Sequence, residues 1–560
     1  MFGEEQIQFL EKKNYLNGLT LDGRVREISD VVRSYDGDYY EGLGGRIESY
    51  IHKQWLSPST PQWPNLGKPT NGKTSPLSAS CFILSPENSI KGIYYSHGEV
   101  AMMSKLGGGV GVDFTGIYEG GTYLEEDDFY TNSKADWIED SVRTAQKVSQ
   151  GSQRRGYSVP FISIDDKEFD LILDRASKKN PDKKDPLVSN NVGIILPIGW
   201  KERIKTDNEL KKRYLRVLKE RMETGKLYML DVENCNKNQS PVYEILGQTV
   251  ENTNICTEIT TPRYDDKSFV CVICSINLVH WDEMKKDKQF LKDCYAFLDI
   301  NVSEFIRLTE GVPFMEKAHR SAIEKRDIGL GTLGFHDYLQ SKGASFGGIQ
   351  SRFLNKEIFK TIQDAGLEYT EEIGRKLGSP KLCQDAGLVR RNVSLNMVAP
   401  NKSTAHICGG TSEGIGPFRS NYFVKELAGI QCTFKNHHLK KLLAEKGQDT
   451  LEVWDSILRN LGSVKHLEFL TDEEKSVFKT SDEISPKDMI DMVADRQPYI
   501  DMAQSFNLFN RPNYTLKDVY EIHKYAWERG VKTLYYYFPQ GHAAIEKDGE
   551  AWDSCESCAD

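Results

Sequence analysis

Asn254, Cys256 and Glu258 stand two apart in the stretch Asn-Ile-Cys-Thr-Glu, so an amide, a thiol and a carboxylate crowd one short segment. On a strand, positions i, i+2 and i+4 share a face, and the three groups would form one row. A thiol beside a carboxylate suits sulfur chemistry with a proton acceptor at hand. Taken alone, the row fits a half-buried polar strand edge equally well. Further thiols stand at Cys81, in Ser80-Cys81-Phe82-Ile83, and at Cys271, which opens the run Cys-Val-Ile-Cys-Ser-Ile-Asn-Leu. Cys555 and Cys558 form a CxxC on a polar, acidic tail that begins at Gln540 and has no periodic apolar face. A mobile dithiol can reduce a buried disulfide by exchange and then be reduced from outside. Cys271-x-x-Cys274 with Cys555-x-x-Cys558 would also supply four zinc ligands. Their wide separation and the apolar, strand-like run around Cys271 disfavour zinc.

Composition narrows the field. The chain has 560 residues, a formal net charge of -10 and 11 cysteines, and its mean hydropathy is -0.53. No apolar run approaches the ~20 residues of a membrane helix. The start, Met1-Phe2-Gly3-Glu4-Glu5, is acidic and unlike a secretion signal, so a cytoplasmic protein is expected. An odd cysteine count in that setting argues against a disulfide framework. The acidic balance argues against nucleic-acid binding, yet leaves room for a locally positive pocket that takes a small anion.

The positioning elements read as α/β. Short β-branched runs at Val192–Leu196, Phe269–Leu278, Val393–Val398 and Val531–Phe538 are separated by helical patterns, which implies an α/β barrel or a wound sheet. Tyr50–Pro61 reads as a helix ending in a Ser-Pro-Ser-Thr-Pro loop, and Asn208–Gly225 as an amphipathic helix with Gly225 as its cap. Thr515 and Asp518 read as a capping box for a helix that runs to Gly530. The strand after it would point Tyr535 and Tyr536 to opposite faces. Lys105–Gly121 is glycine-rich and Gln150–Tyr157 is a polar loop. Pro400, Asn401, Lys402, Ser403 and Thr404 follow a strand and could open a helix whose N–H groups take a phosphate. Gly329-Leu-Gly331-Thr-Leu-Gly334 fits GxGxxG, but the charged Glu324–Asp327 before it is no buried strand, so the match reads as a decoy.

From about residue 46 to the end, these motifs in this order, with Thr533-Leu534-Tyr535-Tyr536, resemble the large catalytic subunit of a class I ribonucleotide reductase. The resemblance implies a ten-stranded α/β barrel over 46–539, a short helical N-terminal extension over 1–45 and a flexible redox tail over 540–560. It implies that Cys256 carries a transient thiyl radical, Glu258 is the base on the ribose 3′ hydroxyl and Asn254 holds the sugar. Cys81 and Cys271 would be the redox pair, with Cys274 a buried core thiol. Cys555 and Cys558 would reduce the pair after each turnover. Tyr535 and Tyr536 would relay the radical. Thr60 and Ser80 match positions near the phosphates and sugar, Gly108 and Gly109 a loop of close substrate approach, and 399–405 the phosphate loop. Lys402 stands where many class I chains carry an acidic residue.

The same resemblance implies partners. A metal-containing small subunit would supply the radical, with no metal or cofactor bound directly by this chain. Thioredoxin or glutaredoxin would be the reductant, ribonucleoside diphosphates the substrates and a homodimer the assembly. A dNTP or ATP effector would sit at Asn88 and Ser89 and signal through Arg154 and Arg155. With Thr60 so early, no N-terminal nucleotide-binding cone and no dATP shut-off through one are expected. Two rivals stand beside this reading. An adenosylcobalamin-dependent class II enzyme fits the cysteines but leaves the tyrosine pair unexplained. An inactive nucleotide-binding paralogue would not need all five redox cysteines with Asn254 and Glu258.

Overall fold

Short runs of Val, Ile and Leu, too apolar to face water on either side, become the strands of two sheets around a common interior. The computed structural model describes residues 2–36, 40–68, 76–148, 156–427, 430–538 and 545–546. The larger sheet has seven strands in the order Phe269–Cys271, Cys81–Leu84, Gly109–Asp113, Ser158–Ser163, Gly193–Leu196, Tyr228–Asp231 and Thr533–Leu534. Its two outermost pairings are antiparallel and those between are parallel. A three-stranded sheet joins Leu56–Pro58, Ile273–Asn277 and Gly329–Leu333. Ten strands in two curled sheets, with helices on the outside, are the α/β barrel expected.

The two sheets meet at one residue. Phe269–Leu278 reads in the sequence as a single strand, but the ladder breaks at Val272. Phe269–Cys271 pairs with Cys81–Leu84, while Ile273–Asn277 pairs in parallel with Gly329–Leu333. The Val272 carbonyl accepts the Gly329 N–H at 2.9 Å, so the chain changes sheets there. The break puts Cys271 in one sheet and Cys274 in the other.

Three other expectations are corrected. The helix expected over Tyr50–Pro61 is Leu43–His52, and Leu56–Pro58 is a strand registered against Ile276–Cys274. Gln54 at φ 57° turns the chain between them. Val393–Val398 forms only isolated bridges, because the Asp501 carboxylate accepts the Leu395 and Asn396 N–H groups at 2.9 and 2.8 Å in place of a ladder. Val531–Phe538 is two short pieces, Thr533–Leu534 and Tyr537–Phe538, with Tyr535 and Tyr536 in the gap.

Other readings hold. Asn208–Thr224 is a helix capped by Gly225 at φ 73°. Leu516–Glu528 opens with the Thr515/Asp518 capping box. Gly329–Leu333 is a buried strand whose glycines make room for residue 397: a Cβ at Gly331 would stand 2.9 Å from the Met397 carbonyl oxygen. The motif thus serves packing.

The helix Phe290–Thr309 is buried on nearly every side, as a helix inside a large core must be. Its acid Asp299 is held by Arg326 at 2.9 Å and Arg391 at 3.2 Å. Helices Glu4–Lys12 and Leu21–Arg33 pack Phe9, Leu10, Val25, Ile28 and Val32 into the same core. Arg24, fully buried, donates to the Leu66 carbonyl at 2.6 Å and ties the helix Leu21–Arg33 to the segment after Thr60. Among the described residues no helix is long and apolar enough to cross a membrane.

Candidate active site

Asn254–Glu258 is a turn rather than a strand, lying between Val250–Thr253 and Thr260–Pro262. Thr257 takes φ 65°, a left-handed conformation that is costly for a β-branched residue. The Thr257 N–H donates to the Asn254 carbonyl at 3.1 Å and closes the turn. A Cβ at Gly111 would lie 2.7 Å from the Thr253 carbonyl oxygen, so the sheet admits the turn only where it carries glycine.

The fold of the turn still brings the three groups together. Asn254 Nδ2 donates to Glu258 Oε1 and to Cys81 Sγ, each at 2.9 Å, and Asn254 Oδ1 accepts the Ile259 N–H at 3.1 Å. Both amide hydrogens are committed, and one side chain fixes both the Glu258 carboxylate and the Cys81 thiol. Ser505 Oγ donates to the Cys256 carbonyl at 2.6 Å and lies 3.1 Å from Glu258 Oε2. Ala503 N–H donates to the Glu258 carbonyl at 2.8 Å.

Cys81 and Cys271 are directly opposite in antiparallel strands, far apart in sequence and adjacent in register. Sulfur or carboxylate atoms of Cys81, Cys271 and Glu258 lie within 4.8 Å of one another. Both cysteines are buried free thiols. Burial, then the neighbouring Cys81, pushes the Cys271 thiol well above its usual range, so it stays protonated at neutral pH. Burial raises Glu258 to about 7, against the lowering effect of its hydrogen bonds, including those from Asn254 and Ser505.

These groups border a cleft. Thr60, Ser80, Cys81, Cys256, Glu258, Pro400, Asn401 and Thr404 line it, as does Cys274. Asn401, at φ 60°, accepts from Ser275 and Thr404 at 3.1 and 3.0 Å and donates to the Thr332 carbonyl at 3.0 Å, so it shapes the loop. Lys402 lines a second, larger cavity that shares Ala399 and Pro400 with the cleft. Ser403 is buried at the start of the helix Lys402–Ile407. Gly108 makes room for the Phe82 ring, which a Cβ would meet at 2.3 Å, and Gly109 is the strand neighbour of Cys81.

Beside the turn stands an aromatic cluster. The Tyr535 and Tyr536 rings have centroids 4.4 Å apart at 62°. That contact rules out the opposite-face arrangement expected of a strand. The Tyr535 N–H donates to the Phe506 carbonyl and the Tyr536 N–H to Asn507 Oδ1, pulling the backbone out of a regular ladder. Buried Arg221 donates to the Tyr535 carbonyl at 3.0 Å. Tyr228, from the strand Tyr228–Asp231, packs against both rings, tilted on Tyr535 at 4.5 Å and edge-on to Tyr536 at 5.2 Å. The three hydroxyls influence one another's acidity, yet those of Tyr228 and Tyr535 make no hydrogen bond of normal geometry. Burial keeps all three phenols protonated, raising Tyr536 to about 12 and lifting Tyr228 and Tyr535 well above the usual phenol range. Outward from Tyr536, the Phe538 ring follows at 5.2 Å, with the Arg419 guanidinium 4.0 Å over it.

Sequence reading missed Ser505, Tyr228 and Arg221. Ser505 sits in an unpatterned loop, and Tyr228 and Arg221 look like ordinary members of a strand and a helix. Asn88 and Ser89 do not line the cleft. Asn88 Oδ1 accepts the Tyr118 N–H at 3.1 Å, and Ser89 caps the helix Ile90–Lys105. Arg154, Arg155, Cys555 and Cys558 lie outside the described residues.

Comparison with known proteins agrees with this geometry. A family model described as "Ribonucleotide reductase, barrel domain" matches residues 79–213, 201–384 and 384–537. The large subunit of ribonucleoside-diphosphate reductase from Invertebrate iridescent virus 3 is 28% identical over 580 residues, covering 90% of this chain and 89% of the viral one. The corresponding subunit of Danio rerio is 27% identical, covering 94% of this chain and 74% of its own. Among solved structures, the Actinobacillus ureae class Id ribonucleotide reductase alpha subunit superposes with a TM-score of 0.86 at 34% identity, over 96% of this chain and 97% of that one.

Proposed function

The chain belongs to the ribonucleotide reductase family as the large subunit of a ribonucleoside-diphosphate reductase, and from that premise we propose how its residues divide the chemistry. A radical delivered to Cys256 forms a thiyl that takes the 3′ hydrogen of the ribose. Glu258 accepts the 3′ hydroxyl proton. One thiol of Cys81 and Cys271 gives a proton to the departing 2′ hydroxyl, which leaves as water. The other thiol hydrogen goes to C2′ in place of the hydroxyl, the pair supplies two electrons and ends as a disulfide, and Glu258 returns its proton to the 3′ oxygen. Cys256 returns the hydrogen to C3′ and is again a thiyl. Directly opposed residues on antiparallel strands have Cβ atoms about 4.5–5.5 Å apart, so a small strand movement brings them to the ~3.8 Å of a disulfide.

The observation that carries this reading is the Asn254 amide, which holds Cys81 and Glu258 to one turn beside Cys256. The acidity of Glu258, near 7, suits a group that takes a proton and gives it back. The cleft, walled by Thr60, Ser80, Pro400 and Thr404, would take the ribose and phosphates.

Tyr535 and Tyr536, in ring contact and buried with Cys256, would carry the radical inward from a small subunit that holds the metal. Cys555 and Cys558 would re-reduce the pair and be reduced in turn by thioredoxin or glutaredoxin. Free thiols at eight buried cysteines, Cys81, Cys256 and Cys271 among them, fit a reducing, cytoplasmic setting. A homodimer, and an effector nucleotide at Asn88, Ser89, Arg154 and Arg155, rest on the family resemblance.

The test is Cys256→Ser. Turnover by the chain with its small subunit should fall to background while diphosphate binding, read by calorimetry, is unchanged. Turnover near the wild-type rate would show that Cys256 is not the radical residue.

A further inference from the structure

Away from the cleft, at the edge of the larger cavity, three donor atoms from distant parts of the chain converge without bonding one another. Asp337, on the helix Phe335–Ser341, is completely buried. Its Oδ2 accepts the Ser412 N–H at 2.7 Å, while its Oδ1 has no hydrogen-bond partner. His437 and His438 open the helix His437–Glu445, and their Nε2 atoms stand 3.6 and 3.5 Å from that oxygen. The His438 Nε2 is also buried without a hydrogen-bond partner. All three atoms lie within 4.8 Å of one another.

These spacings exceed an N–H···O hydrogen bond of about 2.7–3.2 Å. They match another geometry. Ligand atoms about 2.0–2.2 Å from one tetrahedral ion stand about 3.3–3.6 Å from each other. We propose that Asp337, His437 and His438 bind a divalent first-row transition ion of the zinc class. Two imidazoles and a carboxylate are a borderline donor set that suits such an ion better than calcium or magnesium. Three protein ligands leave a fourth position open. His437 is half exposed and lines the cavity, which gives the ion a way in.

The surroundings are built to hold this geometry. Asn436 Oδ1 accepts the His438 and Leu439 N–H groups at 3.1 Å, which fixes the start of the helix. Asn436 Nδ2 donates to Gln340 Oε1 at 2.9 Å, and Gln340 lies on the same helix as Asp337. The two ligand-bearing helices are therefore clamped together by an uncharged contact before any ion arrives. The ion would add a cross-link between them on the cavity wall.

The test uses cobalt(II) as the probe, titrated into the full-length chain and read by visible absorption. Nitrogen and oxygen ligands give ligand-field bands without the intense thiolate charge-transfer band, which separates this site from any cysteine site. One such cobalt per chain is expected, displaced by zinc. His437→Gln and His438→Gln, which change partly exposed side chains, should each weaken it by roughly tenfold or more, with the metal-free melting temperature unchanged. Asp337→Asn should do the same and serves as a third variant. Thiolate-type bands alone, no binding, or wild-type affinity in both histidine variants would overturn the site and leave a metal-free His–Asp contact.

Discussion

The polar turn around Cys256 and the aromatic cluster beside it are equally buried and are held by opposite means. In the turn, each amide hydrogen of Asn254 has an acceptor, and Ser505 and Ala503 fix the far side. In the cluster, ring contacts at 4.4 to 5.2 Å hold Tyr228, Tyr535 and Tyr536, and two of the hydroxyls lack a normal hydrogen bond. A step that moves protons and heavy atoms needs donors and acceptors fixed near 3 Å. A step that moves a radical along side chains needs close rings and phenols that remain protonated. The contrast teaches that burial serves the two regions differently: it tunes a carboxylate to about 7 in one and keeps tyrosines in their neutral form in the other.

The most damaging change to the cluster should be Tyr535→Phe. The ring and its packing stay, and only the oxidisable hydroxyl goes. Turnover with the small subunit is expected to fall to background, while the melting temperature and diphosphate binding hold. If the variant turns over normally, the cluster is packing and the comparison collapses. Wild-type activity with adenosylcobalamin in place of the small subunit would have the same consequence, because no tyrosine relay would be needed.

On the polar side, Glu258→Gln keeps the size of the side chain and removes the carboxylate proposed as the base. A loss of roughly 10²–10⁴-fold in kcat is expected. The pH profile carries the sharper information. Glu258 is raised to about 7, so it is protonated and unable to accept below that pH. Wild-type kcat/KM should rise with pH through about 7, and the rise should vanish in Glu258→Gln. A wild-type profile flat from pH 5 to 8 would assign the base elsewhere.

How much of this was legible in the sequence follows the same divide. Asn254, Cys256 and Glu258 are local in sequence, so their spacing shows which groups meet, though not how. A strand was expected because nothing in Thr257 announces a left-handed residue, as glycine or asparagine would. The facing of Cys81 and Cys271 depends on strand register and the sheet change at Val272, which no local pattern encodes. The Val393–Val398 strand failed because a distant carboxylate, Asp501, takes its N–H groups. The barrel class was readable from alternating runs, since each strand is apolar enough to demand cover on both faces. Tyr228 and Ser505 act only through tertiary contact and left no trace. Asp337 and the adjacent His437 and His438 went unread for the same reason: their convergence is made by packing.

A smaller effect should follow from Ser505→Ala. Its hydroxyl lies against Glu258 Oε2 and favours the ionised form. Without it the carboxylate is harder to ionise, and the rising limb of the pH profile should move to higher pH. The variant should also lose about 1–3 kcal/mol of stability, because a buried acceptor is left unmade. An unchanged limb would show that Ser505 supports only the Cys256 carbonyl.

The smallest change is Tyr228→Phe, and its sign separates the two regions. Because the Tyr228 hydroxyl is buried without a hydrogen bond of normal geometry, removing it breaks none. Burying an unpaired hydroxyl costs free energy, so its loss should be neutral or stabilising by up to about 1 kcal/mol. Ser505→Ala removes a hydroxyl of the same depth and should move stability the other way. Turnover in Tyr228→Phe should stay within a few-fold of wild type, since Tyr535 and Tyr536 keep their contact. A collapse in turnover with stability intact would bring Tyr228 itself into the relay, and the cluster would then be three tyrosines deep.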